Sequence, residues 1–280
     1  MSFQCSAKVA NNQSTQGEIS LRRFIILGTA VTAVLVIASV AVAATGANSY
    51  TAGFGFKPSK AGSKHKPVPV GFTETLTATN NNPALRAAPL TDIKTSIYGL
   101  VSNAKDFPTC SVAKIQNPAH PEQGCPKGAL VATGPVTAKV GDTTLNGQGS
   151  PCNPLLHVWN GGHGTLWFFF TTSDTHVCFG LKTGATAAYP GHISQHGKFM
   201  VTDVPLPPDV STNVANIGLY GSLIREVLTF KNLKTKVHHK TVGINSSIGC
   251  MKGKRPWSVL YTATTPSGPQ SATVTGSTKC

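Results

Sequence analysis

The sequence predicts an all-β protein, a disulfide-stapled β-sandwich of jelly-roll or immunoglobulin-like type behind an N-terminal signal or anchor helix. Three observations carry that expectation. Glycine (28) and proline (19) are abundant while charged residues make up only 12%, a composition suited to many short strands joined by turns. Beyond the first 44 residues, sustained 3.6-residue periodicity is missing. Six of the seven cysteines, Cys110, Cys125, Cys152, Cys178, Cys250 and Cys280, follow that N-terminal stretch, and an even number in an exported chain reads as three disulfides.

Residues 24–44, FIILGTAVTAVLVIASVAVAA, form an uncharged apolar run behind Arg22 and Arg23. Its end, Ala41-Val42-Ala43, is a small-x-small pattern that a signal peptidase can cut before Ala44. A run of this length also suits a membrane-spanning helix, which needs roughly 20 residues. Residues 1–44 are therefore a signal peptide or an uncleaved anchor. In both readings the basic flank stays inside and everything beyond is exported. The location implied is extracellular or cell-envelope. Cys5 lies on the wrong side of the run to join the other six.

Residues 45–70, TGANSYTAGFGFKPSKAGSKHKPVPV, read as a disordered basic tether carrying Lys57, Lys60, Lys64 and Lys66. The sandwich domain then runs over 71–280. GFTETLTATN (71–80) and TDIKTSIYG (91–99) are strands. FPTCSVAKIQNPAHPEQGCPKG (107–128) is a stapled loop with one helical turn at Ser111–Ile115. ALVATGPVTAKV starts the next strand, and TTLNGQGS follows its turn. LLHVWN and TLWFFFTT flank an Asn-Gly-Gly turn, and Trp167–Phe170 is apolar on both faces, which marks a central strand covered on each side. HVCFGL (176–181) is expected to be the next strand across. GKFMVTDVPLPP is a strand with a proline exit. NIGLYGSLIREVLTFKNL is one or two strands, with a short helix expected at Leu223–Leu228. RPWSVLYTATTPSGPQSATVTGSTKC closes the chain as a hairpin turning at 266–269.

Six cysteines permit 15 pairings. Nearest-neighbour pairing closes loops of about 15, 26 and 30 residues, each contributing roughly 3–4 kcal/mol by chain entropy. The hairpin places Cys280 opposite Lys254, so Cys250 reaches it only if 252–254 folds back, which Gly253 makes easy.

PLTDIKTSIYG, FPTCSVAKI, CPKGALVATGPVTA and the terminal GCMKGKRPWSVLYTATTPSGPQSATVTGSTKC together resemble a family of secreted proteins of unassigned function from high-GC Gram-positive bacteria. The shared pattern is a Pro-x-Cys, a Cys-Pro-x-Gly before a strand, and a Cys followed by a Trp-bearing hairpin that ends on Cys. The resemblance spans about residues 88–280 and implies a secreted β-sandwich. It lends no catalytic residues. Ala129 and Ala132 depart from the Ser and Gly usual there, and Cys152–Cys178 is the pair particular to this chain.

No nucleophile elbow, zinc-protease helix motif, phosphate loop or dinucleotide fingerprint is present. The carboxylates are scattered and suggest no facing pair for glycoside hydrolysis. No catalytic residue and no cofactor is assigned. The metal candidates are His157, His163 and His176, because three imidazoles that converge can hold zinc or copper. Their plainer reading is polar residues on a strand face and at a turn tip. The charge of +14 falls to about +12 once Lys8, Glu18, Arg22 and Arg23 are removed, and it favours anionic partners. Lys57, Lys60, Lys64 and Lys66 are the anion-binding candidates, with cell-wall polymer or lipid headgroups as partners. Basic and aromatic residues segregate, which argues against nucleic acid. Membrane contact is expected only through an uncleaved N-terminal segment. The function expected is a non-enzymatic binding or structural protein of the envelope or extracellular space. The alternative is a secreted hydrolase or metal-dependent enzyme with a histidine-containing site.

Overall fold

A computed structural model describes residues 41–280 apart from 47, 118, 143–146 and 182–183. Most of the apolar run lies outside the described residues. Its last four residues do not extend a helix but open a strand. In chain order the strands are β1 (Ala41–Thr45), β2 (Asn48–Lys57), β3 (Val68–Pro69), β4 (Gly71–Asn80), β5 (Leu90–Tyr98), β6 (Leu100–Ser102) and β7 (Leu130–Gly141). They continue with β8 (Gly149–Cys152), β9 (Leu155–Gly162), β10 (Thr165–Thr172), β11 (Gly184–Ala185), β12 (Tyr189–His196) and β13 (Phe199–Pro205). The last are β14 (Tyr220–Phe230), β15 (Lys234–Val237), β16 (Lys240–Gly243), β17 (Asn245–Ser247), β18 (Lys254–Thr265) and β19 (Gly268–Lys279). One helical turn, α1 (Val112–Ile115), sits in the stapled loop.

Twelve strands form one antiparallel sheet in the order β1-β2-β4-β14-β7-β9-β10-β12-β13-β5-β18-β19, with β8 and β11 pairing at its margin. The ends of this path meet. Thr278 on β19 donates to the Phe54 carbonyl of β2 at 3.0 Å, and Tyr261 on β18 donates to the Thr51 carbonyl at 2.8 Å. The sheet is thus a nearly closed barrel, not the two facing sheets of the expected sandwich. Closure brings the end strands of the sheet close together, which limits the liability of an open sheet this wide.

Strand alternation fills the interior. Tyr50, Ala52, Phe54 and Phe56 turn inward from β2, Phe72 and Leu76 from β4, and Trp257, Val259, Tyr261 and Ala263 from β18. Tyr50 stacks on Tyr261 at 4.8 Å between ring centres, and Phe54 meets Trp257 at 5.0 Å. The tether expected at 45–70 is therefore mistaken over its first part. Its alternating Tyr, Ala, Phe, Phe were hidden by intervening Gly, Ser and Thr, and β2 pairs with β4 along its whole length. What remains outside the sheet is the 58–67 loop. A Ser63–Lys66 turn orders it, with Ser63 N donating to the Lys66 carbonyl at 3.0 Å, and Ser247 donating to the Ala61 carbonyl also holds it.

Two further expectations fail. Residues 223–228 extend β14 and form no helix, because Leu228 and Phe230 alternate inward while Arg225 and Thr229 face out. The strand next to β10 is β12, not 176–181. The latter forms a loop tied by Cys178 to Cys152. The three disulfides join Cys110 to Cys125, Cys152 to Cys178 and Cys250 to Cys280, closing 15, 26 and 30 residues. Around the last, Lys252 and Gly253 take positive φ of 49° and 73°. This is the fold-back that brings Cys280 N to the Gly253 carbonyl at 3.0 Å.

The central-strand reading of 167–170 holds. Leu166, Phe168 and the partly buried Phe170 turn into the barrel. Phe169 and Trp167 turn outward into a second, smaller core with Trp159, Ile115, Cys110 and Ala129. The stapled 107–128 loop is the cover on that side.

Candidate functional site

One end of the barrel is not filled. Between β7, β10, β12 and β14 lies a cavity of about 420 Å³, within the roughly 300–1,000 Å³ typical of small-molecule sites. Val136, Ala138, Val140, Phe170, Leu206 and Leu223 give it apolar walls. The Cys152–Cys178 bridge forms part of the wall. Beyond it Phe179 and Leu181 stand 38% and 61% exposed. Phe179 is held at φ 53° by the loop that the bridge closes.

Among the described residues three ionisable side chains line this space, Tyr189, Asp209 and Glu226. Glu226 lies opposite Leu76 on β4 and Val136 on β7. It therefore shares the inward face with both apolar neighbours. Its carboxyl is pushed up to about 8, first by burial and then by Glu74. Glu74 is buried two register pairs along the same face and pushed up to about 7 by burial, although Thr95 donates to it at 3.0 Å. A buried carboxyl without a cation keeps its proton because the charged form loses hydration with nothing in return. Tyr189 is 5% exposed and packs between Phe168 and Phe170, at 5.6 and 6.1 Å between ring centres. Burial and the nearby Glu226 and Asp209 hold its phenol well above its ordinary range. Among the described residues neither the Tyr189 hydroxyl nor the Glu226 carboxyl has a hydrogen-bond partner, whereas Ser222 in the same lining is already bonded to the Ala87 carbonyl at 2.5 Å.

The histidine candidates do not converge. His157 sits in β9 with Nδ1 on the Glu122 carboxylate, to which Trp159 Nε1 also donates at 2.6 Å. His163 occupies the exposed tip of the β9–β10 hairpin at φ 50°. His176 lies in the loop after β10, where its backbone bonds Ser173. Among the described residues no group of three His, Cys, Asp or Glu is placed to hold a metal ion. Lys57 ends β2, and Lys60, Lys64 and Lys66 lie exposed on the ordered 58–67 loop. They share one short segment, but no bound anion shows their role.

Sequence reasoning missed Glu226 and Tyr189. The signal was present in IREVLTF (224–230), where Glu226 has the parity of Leu228 and Phe230. Reading the segment as a helix concealed that parity. Tyr189 precedes Pro190 in a stretch whose strand went unrecognised. No protein family, no curated protein and no solved structure matches the chain.

Proposed function

We propose that this protein is a non-enzymatic binding protein of the cell envelope or extracellular space, and that its ligand is a small, largely apolar molecule held in the open end of the barrel. The single observation that carries this reading is the cavity itself, about 420 Å³ with mainly aliphatic and aromatic walls. A well-packed interior leaves few voids larger than a water molecule. An unfilled apolar space of this size is a place for a ligand. Export rests on the N-terminal run with its Ala-Val-Ala end. Three disulfides are the bonding expected of a chain that folds in an oxidising compartment. No helix among the described residues is long and apolar enough to cross a membrane.

The hydrolase alternative draws on one observation, that Asp209 and Glu226 line the same cavity. Walls made mainly of Val, Ala, Leu and Phe suit an apolar molecule better than a sugar, and among the described residues no group of His, Cys, Asp or Glu is placed to hold a metal ion. Binding is therefore the better account. Titration of the purified protein with an environment-sensitive naphthalene dye tests it. Saturable binding is expected, lost in Ala138→Phe or Leu223→Trp variants that retain the parent circular dichroism. Binding unchanged in both well-folded variants would exclude the cavity as the site.

A further inference from the structure

We propose that the protein docks onto a polyanionic envelope polymer by the end of its barrel opposite the cavity, and that docking this way leaves the cavity mouth turned to the surrounding medium. The docking stands on the placement of charge alone, while its consequence for the cavity rests on the binding reading above.

Strand register fixes which groups share an end. At one end of β14 Tyr220 pairs with Gly141, and the neighbouring Gly221 and Val140 line the cavity. At the other end Phe230 pairs with Ala132 and Phe72, and Phe72 pairs with Phe56 just before Lys57. β14 has 11 residues, so roughly 33 Å separates the two ends along the strand at ~3.3 Å per residue. The 58–67 loop continues from the second end with Lys60, Lys64 and Lys66 exposed. The β15–β16 hairpin follows Phe230 at that same end and exposes Lys234, Lys236 and Lys240. Just beyond the loop and the hairpin the chain ties them together, with Val70 N donating to the Asn245 carbonyl at 2.9 Å. Lys252 and Lys254 are exposed beside them, next to Arg255, whose guanidinium lies 4.4 Å over the Phe56 ring.

The acidic side chains are placed the other way. Asp142 follows β7, Asp174 follows β10 and Asp209 precedes β14, all at the cavity end. Asp92 pairs with Pro205 at that end too. Among the described residues only Asp106 and Glu122 bring carboxylates to the lysine side, and Glu122 is paired with His157. Net charge alone would favour no particular face. Segregated charge does, because its field turns the molecule before contact.

The exposed apolar side chains select a polymer over a lipid surface. Among the described residues these are Val42, Phe179, Leu181, Ile217 and Met251, and only Met251 lies at the basic end. Interfacial binding combines buried apolar area with charge, and this end supplies almost only the charge.

Lysine acetylation footprinting, read by mass spectrometry, tests the docked face on the whole exported chain with long-chain polyphosphate as the polyanion. At low salt Lys60, Lys64, Lys234 and Lys236 should be acetylated several-fold more slowly with the polymer than without it. Lys139, opposite Ser222 at the cavity end, should react at an unchanged rate. Protection should fade toward 0.15 M salt, where charge is screened over about 8 Å. A naphthalene dye should bind with the same affinity at saturating polyphosphate. Equal protection of Lys139 would overturn docking by one end. Stronger protection by anionic phospholipid vesicles than by polyphosphate would overturn the polymer as the partner. Competition between polymer and dye would overturn the orientation. The expected footprint on a protein that binds no dye would instead overturn the cavity reading and leave the docking standing.

Discussion

Glu74 and Glu226 stand on neighbouring strands and both turn into the barrel, Glu74 opposite Leu228 and Glu226 opposite Leu76. They are diagonal neighbours on one face, so each raises the cost of ionising the other. Two carboxyls in such a place are stable only while protonated, and this makes the barrel sensitive to base.

The sign follows from linkage. Both groups have a higher pKa folded than unfolded, about 7 and about 8 against an ordinary 4.5. Between those values the unfolded chain gives up protons that the folded chain retains. Stability is therefore greatest below about pH 4.5 as far as these groups are concerned, and falls as pH rises toward 8. Asp92, raised to about 6 by burial and then by Asp203, acts in the same direction. Thermal melts at pH 5 and 8 should show the loss. Glu226→Gln should reduce it and raise Tm at pH 8 by about 2–4 °C, the shift expected for roughly 1 kcal/mol in a domain of this size. A variant melting no higher than the parent at pH 8 would contradict the assignment.

The Cys250–Cys280 bridge secures β19, the strand that closes the barrel against β2. Replacing both cysteines by serine should cost about 3–4 kcal/mol on the chain-entropy estimate for a 30-residue loop. The loss should also lower hydrogen-exchange protection in β19 before the rest of the sheet. Non-reducing peptide mapping of the parent should recover Cys250 with Cys280.

How much of this was legible in the sequence varies with the kind of signal. The terminal hairpin was legible because Trp257, Val259, Tyr261 and Ala263 alternate without interruption beside a Pro-Ser-Gly-Pro turn, but its register is one residue off the expected one, since the turn is tighter and Lys254 faces Lys279 where Cys280 was expected. Its pairing runs from Thr265 with Gly268 to Lys254 with Lys279. Double-sided burial at 167–170 was legible from the apolar run alone. β2 was not, since composition outweighed an alternation diluted by small residues. Barrel closure is a property of the first and last strands meeting, and no local pattern records it. The cavity was invisible for the same reason. Its walls come from residues spread over 90–226, each of which looks like ordinary core.

Glu122 is the pin between the stapled loop and the outer face of β9. It takes the left-handed conformation, φ 63°, and its carboxylate receives both Trp159 Nε1 and His157 Nδ1. Glu122→Ala would leave the buried indole N–H without a partner, at a cost of about 1–3 kcal/mol. Urea unfolding should show that loss, and Trp fluorescence should report a wetter Trp159. Glu122→Gln keeps an acceptor and should lose much less. Equal losses from both variants would place the effect in the loop backbone and not in the shared carboxylate.

The lysines of the 58–67 region bear on where the protein resides. Lys57, Lys60, Lys64 and Lys66 are exposed, and the Ser63–Lys66 turn holds three of them on one ordered loop. A fixed cluster presents its charge to a surface more effectively than the same charges on a mobile arm, because less side-chain and backbone freedom is lost on contact. Attraction to anionic wall polymer or headgroups, the partner proposed for this loop, would be a surface effect, screened over about 8 Å at 0.15 M salt. Retention of the protein on purified cell walls should fall steeply between low and physiological salt. Changing all four lysines to glutamine should weaken it several-fold more than changing Lys231, Lys234, Lys236 and Lys240. Because β2 and β4 carry no part of the altered charge beyond Lys57, the barrel and its cavity should keep their melting temperature and dye binding. Equal weakening from the two sets would reduce the loop to a structural connection between β2 and β3, with the attraction belonging to the net charge of the whole surface.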